Sequence, residues 1–234
     1  MDTRTSEVKA EMRSLEEEFA KSPSRRNLNK LVDVYIEERN SKALQKALSL
    51  VLRNLDQYGQ EPSFLHRAIS VLVLIKENPS AAKLAAELAN RLVDLEPENP
   101  LSYGNAAYFH WRLKNIASAI EMSELALQRF EDGNNTDEVL QLKGNLAYYY
   151  AERGLKEDAE KARRLAREAY EKSPTASRAD TMGYVLLQFA ANRNDVLGAR
   201  EYFQKAKAEI QKLGIANPLL EQHLAEASKR LEGP

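Results

Sequence analysis

The 234-residue chain contains no cysteine, which excludes disulfides, thiol catalysis and thiolate metal sites and fits a reducing compartment such as the cytoplasm. It has no run of about 18 apolar residues, so no membrane-spanning helix is expected. The N-terminal stretch is charged throughout and lacks an apolar core segment, so no secretory leader is expected either. Neither sign of charge dominates: 34 Lys and Arg stand against 35 Asp and Glu, a formal net of −1. Phosphate binding needs a concentrated basic face, so nucleic acid is not expected as a ligand. The histidines, His66, His110 and His223, lie far apart, and no phosphate loop, dinucleotide glycine run or nucleophile elbow is present. The chain is therefore not expected to be an enzyme, nor to hold a metal or a cofactor. Period-two alternation of useful length is absent as well, which argues against a sheet.

What the chain does have is repetition. Gly104-Asn105-Ala106-Ala107-Tyr108-Phe109 returns forty residues later as Gly144-Asn145-Leu146-Ala147-Tyr148-Tyr149. A looser echo, Thr181-Met182-Gly183-Tyr184-Val185, follows thirty-six residues after that. Self-similarity at this period marks a helical repeat array, in which no unit buries its apolar face alone.

Helical spacing of apolar residues fills the chain. Residues 4–21 carry Val8, Met12, Leu15 and Phe19 on one stripe. Helix pairs follow at 27–38 with 41–56, 63–76 with 80–95, 100–113 with 116–131, 137–153 with 156–172, and 176–191 with 195–212. A last helix at 218–231 aligns Leu220, Leu224, Ala227 and Leu231. Asn99-Pro100 and Asn217-Pro218 place a capping side chain before a proline at the first helical position. Pro97 and Pro174 end the helices before them, and Gly133, Gly154 and Gly214 supply flexible exits. The sequon Asn134-Asn135-Thr136 reads as a polar turn after Gly133. The expected organisation is one array over 1–234: an N-terminal helix 4–21, repeats 25–57, 62–97, 100–133, 136–174 and 176–213, and a capping helix 217–232.

In the third unit, Tyr103, Ala106, Ala107, Ala119, Ile120, Ala126 and Leu127 resemble the large-and-small spacing of the tetratricopeptide repeat (TPR). The fourth unit repeats it with Leu146, Ala147, Tyr150, Gly154, Ala162, Ala169 and Pro174, and the fifth with Met182, Gly183, Ala199 and Ala206. Two antiparallel helices approach closely only where a side chain nearly vanishes. The chain departs from the family spacing of twelve between paired small residues: Ala107 to Ala119 obeys it, but Ala147 to Ala162 is fifteen and Gly183 to Ala199 sixteen. Longer turns are therefore expected at 154–158 and 191–197, where Glu157, Asp158, Arg193 and Asp195 could form an edge contact. The first two units match in outline, with Val32 and Ile69 at the first small position. The resemblance implies an all-α, right-handed superhelical solenoid of about five helix-turn-helix repeats with N- and C-terminal capping helices. It further implies a concave face lined by the first helix of each pair, which binds an extended peptide or a partner's helix.

Residues that share the groove side of each first helix follow from helical spacing. They are Asn105, Tyr108, Trp111 and Arg112 in unit three; Asn145, Tyr148 and Glu152 in unit four; Asp180, Thr181, Tyr184 and Gln188 in unit five. Stacking the units predicts a ladder of Tyr108, Tyr148 and Tyr184, and a second of Asn105, Asn145 and Thr181. Carboxamides can bond a peptide's N–H and C=O together, and tyrosines offer rigid amphipathic contact. The competing account packs the tyrosines between adjacent repeats. Some TPR proteins grip a chaperone's carboxylate tail with paired lysine, asparagine and arginine; here Asn145 fits one element, but Ser177 and Thr181 stand where Lys and Arg are needed. The basic run Lys161, Arg163, Arg164, Arg167, interleaved with Glu157, Asp158, Glu160 and Glu168, reads as a solvated face with i,i+4 pairs. The sequence thus points to a non-catalytic interaction scaffold. Its alternatives are a self-assembling module that docks copies through the stripe of residues 8–19, giving a homo-oligomer, and a regulatory region of a longer protein.

Overall fold

A computed structural model describes residues 3–38, 40–75, 79–130 and 137–232, with side chains from residue 10 onward. The residues it describes form twelve α-helices and one 3₁₀ turn, with no strand. They are α1 (Thr3–Lys21), α2 (Arg25–Glu38), α3 (Ser41–Tyr58), α4 (Pro62–Leu74), α5 (Pro79–Leu95) and α6 (Pro100–Arg112), then α7 (Ile116–Phe130), α8 (Asp137–Arg153), α9 (Ala159–Lys172), α10 (Ala176–Gln188), α11 (Arg193–Lys212) and α12 (Pro218–Glu232). Gly133 and the sequon at Asn134 lie outside the described residues, as does the side chain of Val8. The chain gathers into two compact units, Met1–Leu113 and Lys114–Pro234, the break falling in the turn between α6 and α7.

Local chemistry sets the helix ends. Asn99 Oδ1 accepts from the Leu101 N–H at 3.1 Å, and Asn217 Oδ1 from the Leu220 N–H at 3.2 Å. Asn40, Thr175 and Asn192 cap α3, α10 and α11 in the same way. Gly154 and Gly214 take φ of +70° and +66°, the left-handed exit their positions suggest. Lys114 adopts φ of +62° without being glycine. The two long turns differ from expectation in form. In the first, residues 156–158 are a 3₁₀ turn rather than the start of α9; in the second, α10 ends at Gln188 and Asn192 starts α11 at Arg193.

In the first unit, each helix packs on the next, and α2 also lies against α4. Leu28, Leu31, Val32 and Tyr35 of α2 are buried together with Ala43, Ala47 and Val51 of α3. Each large apolar side chain so buried stabilises by roughly 1.5–3 kcal/mol. Helix α5 buries Ala81, Ala82, Ala85, Ala86 and Ala89, small residues that let a neighbouring helix come close. Helix α1 packs on α2, with Met12, Leu15 and Phe19 half-buried. Glu16 pins it, accepting from Lys46 Nζ at 2.6 Å and from the Tyr35 hydroxyl.

In the second unit the first helices α8, α10 and α12 lie side by side, while α9 and α11 pack on α8 and α10. Leu220, Ala227 and Leu231 of α12 close a core with Ala179, Leu187, Val196, Ala199, Phe203 and Ala206. Arg178, 2% exposed, ties the start of α10 to the start of α8: it donates to the Ser173 carbonyl at 2.9 Å, the Asp137 carbonyl at 3.0 Å and Asp137 Oδ1 at 2.8 Å.

Candidate functional site

Sequence candidates for the face occur in both units. On α6, Asn105, Tyr108, Trp111 and Arg112 are all half-buried. The Tyr108 ring meets Phe109 edge-on at 5.2 Å and lies 5.9 Å from Trp111, with the Arg112 guanidinium 6.0 Å from its centroid. The tyrosine is therefore held by neighbours on its own helix.

The second unit is more tightly assembled. Tyr148 of α8 and Tyr184 of α10 stack with centroids 4.5 Å apart and planes 19° apart. Helical spacing put both on one side, and adjacent first helices bring them into contact. The stack continues: His223 of α12 lies 4.8 Å from Tyr184, and Phe203 of α11 lies 5.3 Å from His223. His223 is buried and its Nδ1 is 2.8 Å from Asp180 Oδ1, so Asp180, read as a groove residue, is committed to α12. Sequence reasoning missed His223 as part of the face. Its signal was present, since it follows Tyr184 by thirty-nine residues and sits between Leu220 and Ala227 on the packed side of α12.

Glu152 lies beside the two tyrosines. The Tyr184 hydroxyl donates to Glu152 Oε1 at 3.2 Å, and Lys114 Nζ stands 3.7 Å from Oε2. Burial pushes both tyrosine hydroxyls far above their ordinary value, with the Glu152 carboxylate adding to it; they remain hydrogen-bond donors at physiological pH. Asn145 is half-buried and accepts from Gln141 Nε2 at 2.8 Å. Thr181 is half-buried on the same helix as Tyr184, and Gln188 is exposed at its end.

The remaining sequence candidates make contacts of their own. Asp158 is buried in a two-pronged pair with Arg153, at 2.7 and 2.8 Å. Asp195 accepts from the Ala191 N–H at 2.8 Å and faces Arg163 at 3.7 Å. Both acids of the expected edge contact thus close their own turns, while Glu157 and Arg193 are exposed. Within the basic run, Lys161 pairs with Glu124 and Arg163 donates to the Phe189 carbonyl, reaching neighbouring elements instead of i+4 partners. Glu168 does make an i,i+4 pair, with Lys172, and a closer one with Lys143 at 2.5 Å; the two lysines hold its carboxyl below the ordinary value, Lys143 foremost. His66 faces Glu96 at 2.9 Å and His110 faces Asn90 at 3.1 Å.

No family model matches the sequence, and no curated protein matches it. Solved structures do match in fold. BtubC (BKLC) from P. vanneervenii is similar with a TM-score of 0.62 at 17% identity, over 91% of this chain and 92% of its own. A putative kinesin light chain of nearly identical TPR-like repeats from Podosopora anserina gives 0.58 at 17% identity, over 81% and 95%. A tetratricopeptide repeat protein from Parabacteroides merdae gives 0.54 at 16% identity, over 96% and 94%. The fold is that of a TPR-like helical repeat solenoid. No described helix is long and apolar enough to cross a membrane.

Proposed function

We propose that this chain is a non-catalytic, cytoplasmic protein–protein interaction scaffold, a single array of five repeats between capping helices, which takes a peptide segment or a partner's helix on its first-helix face. The observation that carries this reading is the Tyr148–Tyr184 stack on adjoining first helices, with Asn145, Glu152, Thr181 and Gln188 on the same side. Rigid aromatic rings beside carboxamides and a carboxylate suit backbone gripping with side-chain selection. Asn105, Tyr108, Trp111 and Arg112 offer similar chemistry on α6 of the first unit.

The test is affinity capture from lysate with wild type and with an Asn105→Ala, Asn145→Ala, Tyr148→Ala variant, helicity of both being checked by circular dichroism. A partner lost only by the variant supports the face. A partner kept by both moves the site to the edges or termini and leaves the stack as repeat packing.

A further inference from the structure

Helices α8, α10 and α12 carry the carboxylates Glu138, Glu152, Asp180 and Glu226. Most of these groups are already engaged. Asp180 is held by His223, and Arg230 donates to Glu226 at 2.8 Å and to the Leu187 carbonyl at 2.7 Å. Glu152 differs. Its side chain is 21% exposed, it accepts from the Tyr184 hydroxyl and is also hydrogen-bonded by Tyr148, and Lys114, itself 75% exposed, stands 3.7 Å from Oε2. An ion pair that long, to so exposed a side chain, contributes little and is easily displaced. A carboxylate fixed by a tyrosine hydroxyl and shielded from solvent favours a better-placed cation.

We propose that this face receives a lysine or arginine side chain from a basic peptide segment of a protein partner, with Glu152 as its counter-charge. The proposal deepens the scaffold reading and rests on it. Lys114 shows that an ammonium reaches this carboxylate, and the incoming cation replaces it. The stacked rings of Tyr148 and Tyr184 give the methylene stem of the incoming side chain an apolar contact at low entropic cost. Asn145 and the exposed Gln188 are placed to bond the peptide's backbone.

The full chain is panned against a phage-displayed library of random peptides about twelve residues long, a length that suits a groove-bound segment. Selected peptides are synthesised and titrated against wild type, Glu152→Gln, Glu152→Lys, Glu171→Lys and Asn145→Ala, with circular dichroism on each. The expected result is binders richer in Lys and Arg than in Asp and Glu. Their affinity should fall about tenfold or more with Glu152→Lys and by less with Glu152→Gln, and stay unchanged with Glu171→Lys, an exposed site on α9. Acidic or neutral binders that Asn145→Ala weakens overturn the cation site and leave the scaffold reading standing. So do binders weakened by Asn145→Ala but indifferent to both Glu152 variants. A library without binders, or binders indifferent to all these substitutions, overturns both.

Discussion

A Cβ placed on Gly183 would stand 2.6 and 2.7 Å from ring carbons of Phe203 and 2.9 Å from the Ala199 carbonyl oxygen. Something must move to admit it, and overpacking of this kind costs about 1–3 kcal/mol. Gly183→Ala is therefore expected to lower the denaturation midpoint of the full chain. Gly144 offers the opposite case within the same fold: a Cβ there meets nothing within 4 Å, and the residue lies inside α8. Gly144→Ala removes the backbone-entropy cost of glycine in a helix and should stabilise by up to about 1 kcal/mol. Two glycines at different positions of neighbouring repeats thus predict shifts of opposite sign, which urea denaturation can read directly. The sequence marks both as small; only the surroundings tell a required gap from an unused one.

At the scale of elements, the ends of α1 and α10 make separate predictions. Glu16 joins α1 to α2 and α3, and hydrogen bonds from Lys46, then Tyr35, lower its pKa from 4.5. A carboxyl whose folded pKa is depressed adds stability above its unfolded value, and that stability is lost as pH falls through the folded value. Acidification below about pH 4.5 should therefore loosen α1, raising hydrogen exchange in residues 10–21. Glu16→Gln should show that looser state already at neutral pH and lose the acid step. Arg178 joins α10 to α8 through two carbonyls and an exposed carboxylate. Arg178→Leu keeps much of the buried stem but leaves the Ser173 and Asp137 carbonyls without these donors, a loss of about 1–3 kcal/mol. A denaturation midpoint unchanged by Arg178→Leu would dismiss this tie as incidental.

Over the whole molecule, a repeat array is stabilised by contacts between neighbouring units, so damage stays local. Native-state hydrogen exchange of Gly183→Ala should lose protection chiefly in residues 137–232, the helices that contact α10 and their neighbours. Protection lost evenly from α2 to α12 would show cooperation beyond neighbours. Much of this organisation is legible in the sequence because helices are local objects. The stripe of Leu220, Leu224, Ala227 and Leu231 marks α12, Asn99 and Asn217 mark helix starts, and Gly154 and Gly214 mark exits. The α10 end was harder: Phe189 and Ala190 continue the apolar pattern, yet Asn192 caps the following helix and ends the run early.

Period and composition alone determined that this chain is helical, repeated, and closely packed at Ala147, Gly183 and Ala199. These features depend on spacing along one helix, or on a side chain being too small to obstruct. The tertiary structure alone decided that Tyr148 stacks on Tyr184, that His223 extends the stack and takes Asp180, and that Glu152 lies beside a tyrosine hydroxyl and 3.7 Å from the Lys114 ammonium. Those pairings join residues thirty or more positions apart, and they depend on how each first helix is rotated against the next. A single helix's periodicity gives which side is apolar; it does not contain that rotation.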